Sequence, residues 1–113
     1  MTVFFGFALA DSMFVGDATI TRRVLDIDAV RVLVAAGVES CCNPSHEATI
    51  DAMRQRFGLE VAIPAAPPRV SLKSGDSVVV MGVRGLPRLT DRHEYTSAEI
   101  EGATFSFSLY TVA

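Results

Sequence analysis

Residues Thr104–Val112 read TFSFSLYTV, the strictest alternation of apolar and polar side chains in the chain. Phe105, Phe107 and Leu109 fall on one side of an extended segment, and Ser106, Ser108 and Tyr110 on the other. A period of two marks a half-buried β-strand, and aromatic and β-branched residues suit its pleat. The pattern predicts an antiparallel partner and one solvated face. Just upstream, Thr96 and Glu99 have the spacing of a capping box, and Gly102 closes the short helical turn they open.

Further back, Arg69–Leu72 and Ser77–Val83 flank Lys73-Ser74-Gly75-Asp76, a turn of hairpin length and chemistry. Gly82–His93 reads as a long, arginine-rich loop. Pro64–Pro68 holds three prolines, which excludes helix and central strand. Asp26 has the chemistry of a helix N-cap and Gly37 that of a terminator, with Ile27, Val30, Leu33 and Val34 forming one stripe between them. Asn43-Pro44-Ser45 is a turn. Ser45 caps a second predicted helix, His46–Phe57, closed by Gly58, with Ile50, Met53 and Phe57 on one face and Asp51, Arg54 and Gln55 on the other. Thr2–Phe7, Ala18–Leu25 and Val38–Cys42 read as strands, Ala8–Asp17 as a loop and Leu59–Ile63 as a short extended piece. The fold class is mixed α/β: a single domain, residues 1–113, with one central sheet, mostly antiparallel or mixed. Two main helices and a short C-terminal helical turn flank it.

A chain of 113 residues, 50% hydrophobic and 20% charged, is one folded domain and excludes a disordered one. The longest apolar runs, Val3–Ala10 and Val32–Val38, fall far short of the ~18 residues of a spanning helix, so no membrane partner is expected. Val3–Ala10 lacks a basic flank and is too short for a signal peptide, which points to a cytoplasmic protein. Cys41 and Cys42 are adjacent and make no disulfide framework, as suits a reducing compartment. The net charge of −3 argues against a nucleic-acid coat and against DNA as partner. Between Arg69 and Glu94, however, five basic residues stand against three acidic ones. Such a patch suits a small anionic ligand, or is an ordinary solvated face.

Few residues offer chemistry. His46 opens a helix, where unpaired N–H groups and the dipole favour a phosphate and a histidine can protonate a leaving oxygen; taken alone, it reads as a histidine that decorates a helix start. Arg69 follows two prolines and can reach a phosphate, or is an exposed arginine at a strand end. Arg88 can clamp a phosphate and Asp91 can orient a histidine or accept a ribose hydroxyl; alone, the two read as a surface ion pair. Cys41, Cys42, His46 and His93 have no zinc-ligand spacing. Ser45 and Ser97 lack a nucleophile-elbow context, and no Walker or Rossmann phosphate loop is present.

In this order, the segments resemble the viral ring nucleases, type III anti-CRISPR proteins first known from crenarchaeal viruses and with phage and prophage relatives. Ser45-His46-Glu47-Ala48-Thr49-Ile50 is similar to the family's Gly-His-Glu/Asp-Ala/Ser-Thr helix start, and Pro68-Arg69-Val70 to its Asn-Arg-Val. Leu72-Lys73-Ser74-Gly75-Asp76 matches its turn before an apolar strand, and Arg88-Leu89-Thr90-Asp91 is similar to its Arg-Leu-x-Glu, followed by Thr96-Ser97-Ala98-Glu99-Ile100. The resemblance implies a cytoplasmic homodimer, in the host cell if virus-encoded, that binds cyclic tetraadenylate or a related cyclic oligonucleotide. It linearises that ring without metal or other cofactor. His46 is then the general acid and Asp91 stands in for the family glutamate. Arg69 and Arg88 hold phosphates, and Ser45 and Thr49 belong to the ligand-binding helix start. Asp11 and Ser12 lie close to where the family's first loop supplies an asparagine and a serine; the matching positions hold Phe7 and Ala10. The alternatives are a sponge that binds the ring without cleaving it, and a structural or interaction protein on the same fold.

Overall fold

The computed structural model describes residues 2–44, 47–66, 68–85 and 96–113. Strand β1 (Val3–Gly6) leads through a 3₁₀ turn (Asp11–Met13) to β2 (Ile20–Leu25), helix α1 (Ile27–Ala36) and the short β3 (Glu39–Ser40). Helix α2 (Glu47–Phe57), β4 (Ser77–Arg84), α3 (Ser97–Gly102) and β5 (Thr104–Val112) follow. The five strands form one sheet in the order β2-β5-β4-β1-β3. β1 runs parallel to both β3 and β4, whereas β5 is antiparallel to both β4 and β2. The fold is therefore mixed α/β with a mixed sheet, two main helices and a short third, as the alternation and helix punctuation predicted.

Local chemistry sets the helix ends. The Asp26 carboxylate accepts from Ala29 N–H at 2.8 Å, and Gly37 leaves α1 with φ 112°. The capping box of α3 is reciprocal: Thr96 N–H donates to Glu99 Oε1 at 2.8 Å and Glu99 N–H to Thr96 Oγ1 at 3.2 Å. Between such ends, apolar stripes seat both main helices on one face of the sheet. Val30 of α1 and Ile50 and Met53 of α2 pack with Phe5, Val79, Met81 and Phe107. The Phe57 ring meets Phe105 and Phe107 edge-on, at 5.2 and 5.1 Å between centroids, which locks the end of α2 onto β5.

Two expectations are corrected. The second face of β5 is not simply solvated: Leu72, Val78 and Val112 form a second, smaller core there with Phe4, Leu9, Met13, Phe14 and Val70. Ser108 is consequently buried, although Ser106 stays exposed. Nor does Arg69–Leu72 pair with β4 as a hairpin, because β1 and β5 occupy both sides of β4. Leu72 instead bridges Phe14 in parallel, its N–H donating to Met13 O at 2.7 Å.

The turn between them survives with a different task. Gly75, at φ 90°, lets the chain reverse so that Asp76 faces inward. Its carboxylate accepts from Lys73 N–H at 2.9 Å and from Thr2 N–H at 3.0 Å, while its backbone carbonyl accepts from Val112 N–H at 3.0 Å. Asp76 thus joins the start of β1, the start of β4 and the end of β5. The two N–H donors, above all that of Lys73, hold its carboxyl below the ordinary carboxylate range.

Asp76→Asn is expected to cost about 1–3 kcal/mol, read as a lower denaturant midpoint. The folded carboxyl is the stronger acid, so its contribution is complete at neutral pH. It fades as the pH falls below the ordinary carboxylate value toward the depressed one. Over that acidic window the native chain should lose stability more steeply than Asp76→Asn; equal slopes would deny the carboxylate this role.

Candidate functional site

β1, β3 and β4 all point the same way, so the segments leaving their carboxyl ends start from one edge of the sheet. β1 releases the chain into residues 7–14, which contain Asp11 and Ser12. β3 hands over to Cys41–Pro44 and then α2, with Cys41 N–H still bonded to Phe5 O at 2.8 Å. β4 ends at Arg84 and turns at Gly85, φ 84°. The sequence-predicted residues Ser45 and His46 follow β3, and Arg88 and Asp91 follow β4; these four lie outside the described residues. Thr49 is half-buried in the first turn of α2.

Arg69 and Ser12 share a cleft of about 510 Å³, lined by Ala10, Ser12, Met13, Pro68, Arg69, Val70 and Ser71. Its shape follows from the second core. Residues 69–72 run extended, and their period of two sends Val70 and Leu72 inward while Arg69 and Ser71 are exposed. On the facing segment Met13 packs inward and Ser12 is exposed. Arg69 makes no ion pair among the described residues. Asp11 is exposed and does not line the cleft. A second hollow of about 270 Å³ lies between Pro44, Ile50, Asp51, Arg54 and Ile63, and among the described residues no predicted site residue lines it. Ser71 is the cleft residue that the sequence reading passed over. Its signal was the apolar-polar alternation from Arg69 to Leu72, there spent on a hairpin.

Beside this edge Cys42 is buried and Cys41 half-buried. Both donate to Phe5 O, Cys41 Sγ at 3.3 Å and Cys42 Sγ at 3.6 Å. Burial, with the neighbouring Cys42, pushes the Cys41 thiol up to about 11, and burial raises that of Cys42 as well. Neither is a poised nucleophile. Among the described residues no group of three or more His, Cys, Asp or Glu side chains could hold a metal ion, and no helix is long and apolar enough to cross a membrane. Gly6 matters here: a Cβ on it would lie 2.5 Å from Cys41 Sγ, so glycine allows β1 and the end of β3 their close approach.

No family model and no curated protein sequence matches the chain. Among solved structures it is similar to B116 of Sulfolobus turreted icosahedral virus, with a TM-score of 0.69 and 19% identity over 98% of this chain and 99% of that one. The shared property at that identity is the fold, over nearly its whole length.

The folded chain should resist thiol alkylation at pH 8. Protonated as they are, both cysteines are expected to react more than tenfold slower than in denaturant. Mass spectrometry of timed iodoacetamide labelling checks this, and labelling at the unfolded rate would contradict the buried placement.

Proposed function

We propose that this chain is a ring nuclease that binds cyclic tetraadenylate, or a closely related cyclic oligonucleotide, as a homodimer and opens it without metal. The observation carrying the reading is the common edge from which the chain leaves β1, β3 and β4. From β1 the chain crosses to β2 at the far edge, returns through α1 to β3 on one side of β1, and then reaches β4 on the other side. In open sheets that reversal makes a crevice beyond the carboxyl ends of the strands, where ligands bind. The segments leaving that edge carry Asp11 and Ser12, Ser45 and His46, and Arg88 and Asp91, and the second core adds the Arg69 cleft. The fold likeness to a protein of a Sulfolobus virus agrees with the family resemblance of the motifs.

In this reading the substrate supplies its own nucleophile. A ribose 2′-hydroxyl gives up its proton to solvent water and attacks the adjacent phosphorus in line. The bond from phosphorus to the 5′-oxygen breaks, leaving a 2′,3′-cyclic phosphate on one side and a 5′-hydroxyl on the other. His46, as imidazolium, gives the proton that the leaving 5′-oxygen needs, and Asp91 orients the imidazole. Arg69 and Arg88 hold phosphate oxygens whose charge grows in the transition state. A ring with near-twofold symmetry presents two like halves, and a twofold dimer presents two like half-sites.

Incubation of the native chain with cyclic tetraadenylate in EDTA, at single turnover, should yield linear products ending in 2′,3′-cyclic phosphate by mass spectrometry. His46→Ala should slow that step about 10²–10⁴-fold while retaining ligand. A ring recovered intact from a tight complex would mark the chain as a sponge, and a ring neither bound nor opened would overturn both readings.

A further inference from the structure

The cleft beside Arg69 contains a group that no resemblance assigns. We propose that Ser71 is a ligand-binding residue, acting with Ser12 and Arg69 as a clamp on one phosphodiester; this rests on the ring-nuclease reading for its ligand but not for its geometry. The Leu72 N–H to Met13 O bond pins two segments side by side. Leu72 is paired with Phe14, so Ser71 comes beside Met13, and Ser12 stands one residue further back in the 3₁₀ turn. The side chains of Met13, Val70 and Leu72 are held in the second core beneath. Arg69 stands two residues before Ser71, on the same outward side of an extended strip. All three line the same cleft.

The chemistry of the trio selects the charge of its ligand. One guanidinium supplies one positive charge and a fork of N–H donors, and each hydroxyl supplies a neutral donor free to rotate. That set matches a phosphodiester, which carries one negative charge and two non-bridging oxygens. A terminal phosphate, close to doubly charged at neutral pH, would leave charge unmatched on a chain that is already net acidic. The apolar remainder of the lining, from Ala10, Met13, Pro68 and Val70, gives a sugar or base a surface to rest on. The clamp therefore takes internal phosphates of an oligonucleotide in preference to its ends.

The test compares native chain, Ser71→Ala, Ser71→Thr and Arg69→Ala by titration calorimetry. Three probes are used: cyclic tetraadenylate, the linear dinucleoside monophosphate ApA, and inorganic phosphate. Ser71→Ala should weaken both phosphodiesters roughly tenfold, the worth of one hydrogen bond to a charged group. Ser71→Thr, which keeps the hydroxyl, should restore them. The salt dependence of binding should stay unchanged in Ser71→Ala and flatten in Arg69→Ala by roughly one phosphate contact. Inorganic phosphate should bind more weakly than ApA in the native chain. Native affinity in Ser71→Ala, or equal losses in Ser71→Ala and Ser71→Thr, overturns the clamp, as does failure of the native chain to bind either phosphodiester. Cleavage of the ring by a native chain whose affinity Ser71→Ala leaves untouched sinks the clamp alone. Binding that Ser71→Ala weakens, with the ring left intact, sinks the cleavage reading alone.

Discussion

One carboxylate closes one end of this sheet. Asp76 takes the N–H of Thr2 and of Lys73 on its oxygens, and its own carbonyl takes that of Val112. Ser77 N–H adds a bond to Thr2 O at 3.0 Å, and Gly75 N–H one to Val112 O at 2.8 Å. The amino ends of β1 and β4 and the carboxyl end of β5 are thereby tied at a common level. Once that level is fixed, the parallel register of β1 with β4, Phe4 with Val78 and Phe5 with Val79, is fixed too. Hydrogen bonds consumed at the closed end leave the opposite end to loops, and the segments that carry the candidate chemistry leave from there.

The second core is what turns those loops into a surface with shape. A two-layer domain, helices on one sheet face, would leave Val78, Phe4 and Val112 in water. Here residues 9–14 and 70–72 fold back over them. Along 69–72 burial alternates, so each apolar residue that goes down sends its neighbour up, and facing them Met13 goes down from the 3₁₀ turn. Packing of Val70 and Leu72 is thus the same event as presentation of Arg69 and Ser71. A site made this way is positioned by burial, not by long-range charge, and it rests on a rigid support although it is built from loops.

Much of this was legible before any coordinates, for identifiable reasons. Thr104–Val112, the Asp26 and Thr96 caps, and Gly37 and Gly58 carry their signals within a few residues, so local pattern sufficed. The hairpin failed because turn chemistry at Lys73–Asp76 says that the chain reverses, not which neighbour it reverses against. Val78 and Val79 are both buried, and a strand covered on both faces gives no phase from which to choose partners. The solvated face of β5 failed for a related reason: Ser108 is covered by segments distant in sequence, and period counting is blind to them. At the site, the motif residues stood out by their type and order. Ser71, a serine among eight residues of an expected hairpin arm and turn, could be placed in the cleft only once Leu72 was seen to pair with Phe14.

The charge pattern gains a physical reading from this layout. An acidic chain repels long polyanions at a distance, since its far field is negative. Within a Debye length of about 8 Å, however, a ligand meets local charge and not the net value. Arg69, unpaired among the described residues, stands at the cleft, and Arg84 ends the strand that leads to Arg88. On the proposed reading, a small ring would gain that local attraction at each phosphate it brings to an arginine. A duplex, extending beyond these arginines, must also cross the acidic remainder. The −3 net charge and the basic stretch are therefore not in conflict. On the proposed ring-nuclease reading, ligand selection would fall to the number of phosphates held at once, which a closed ring on a twofold dimer would raise without any additional kind of contact.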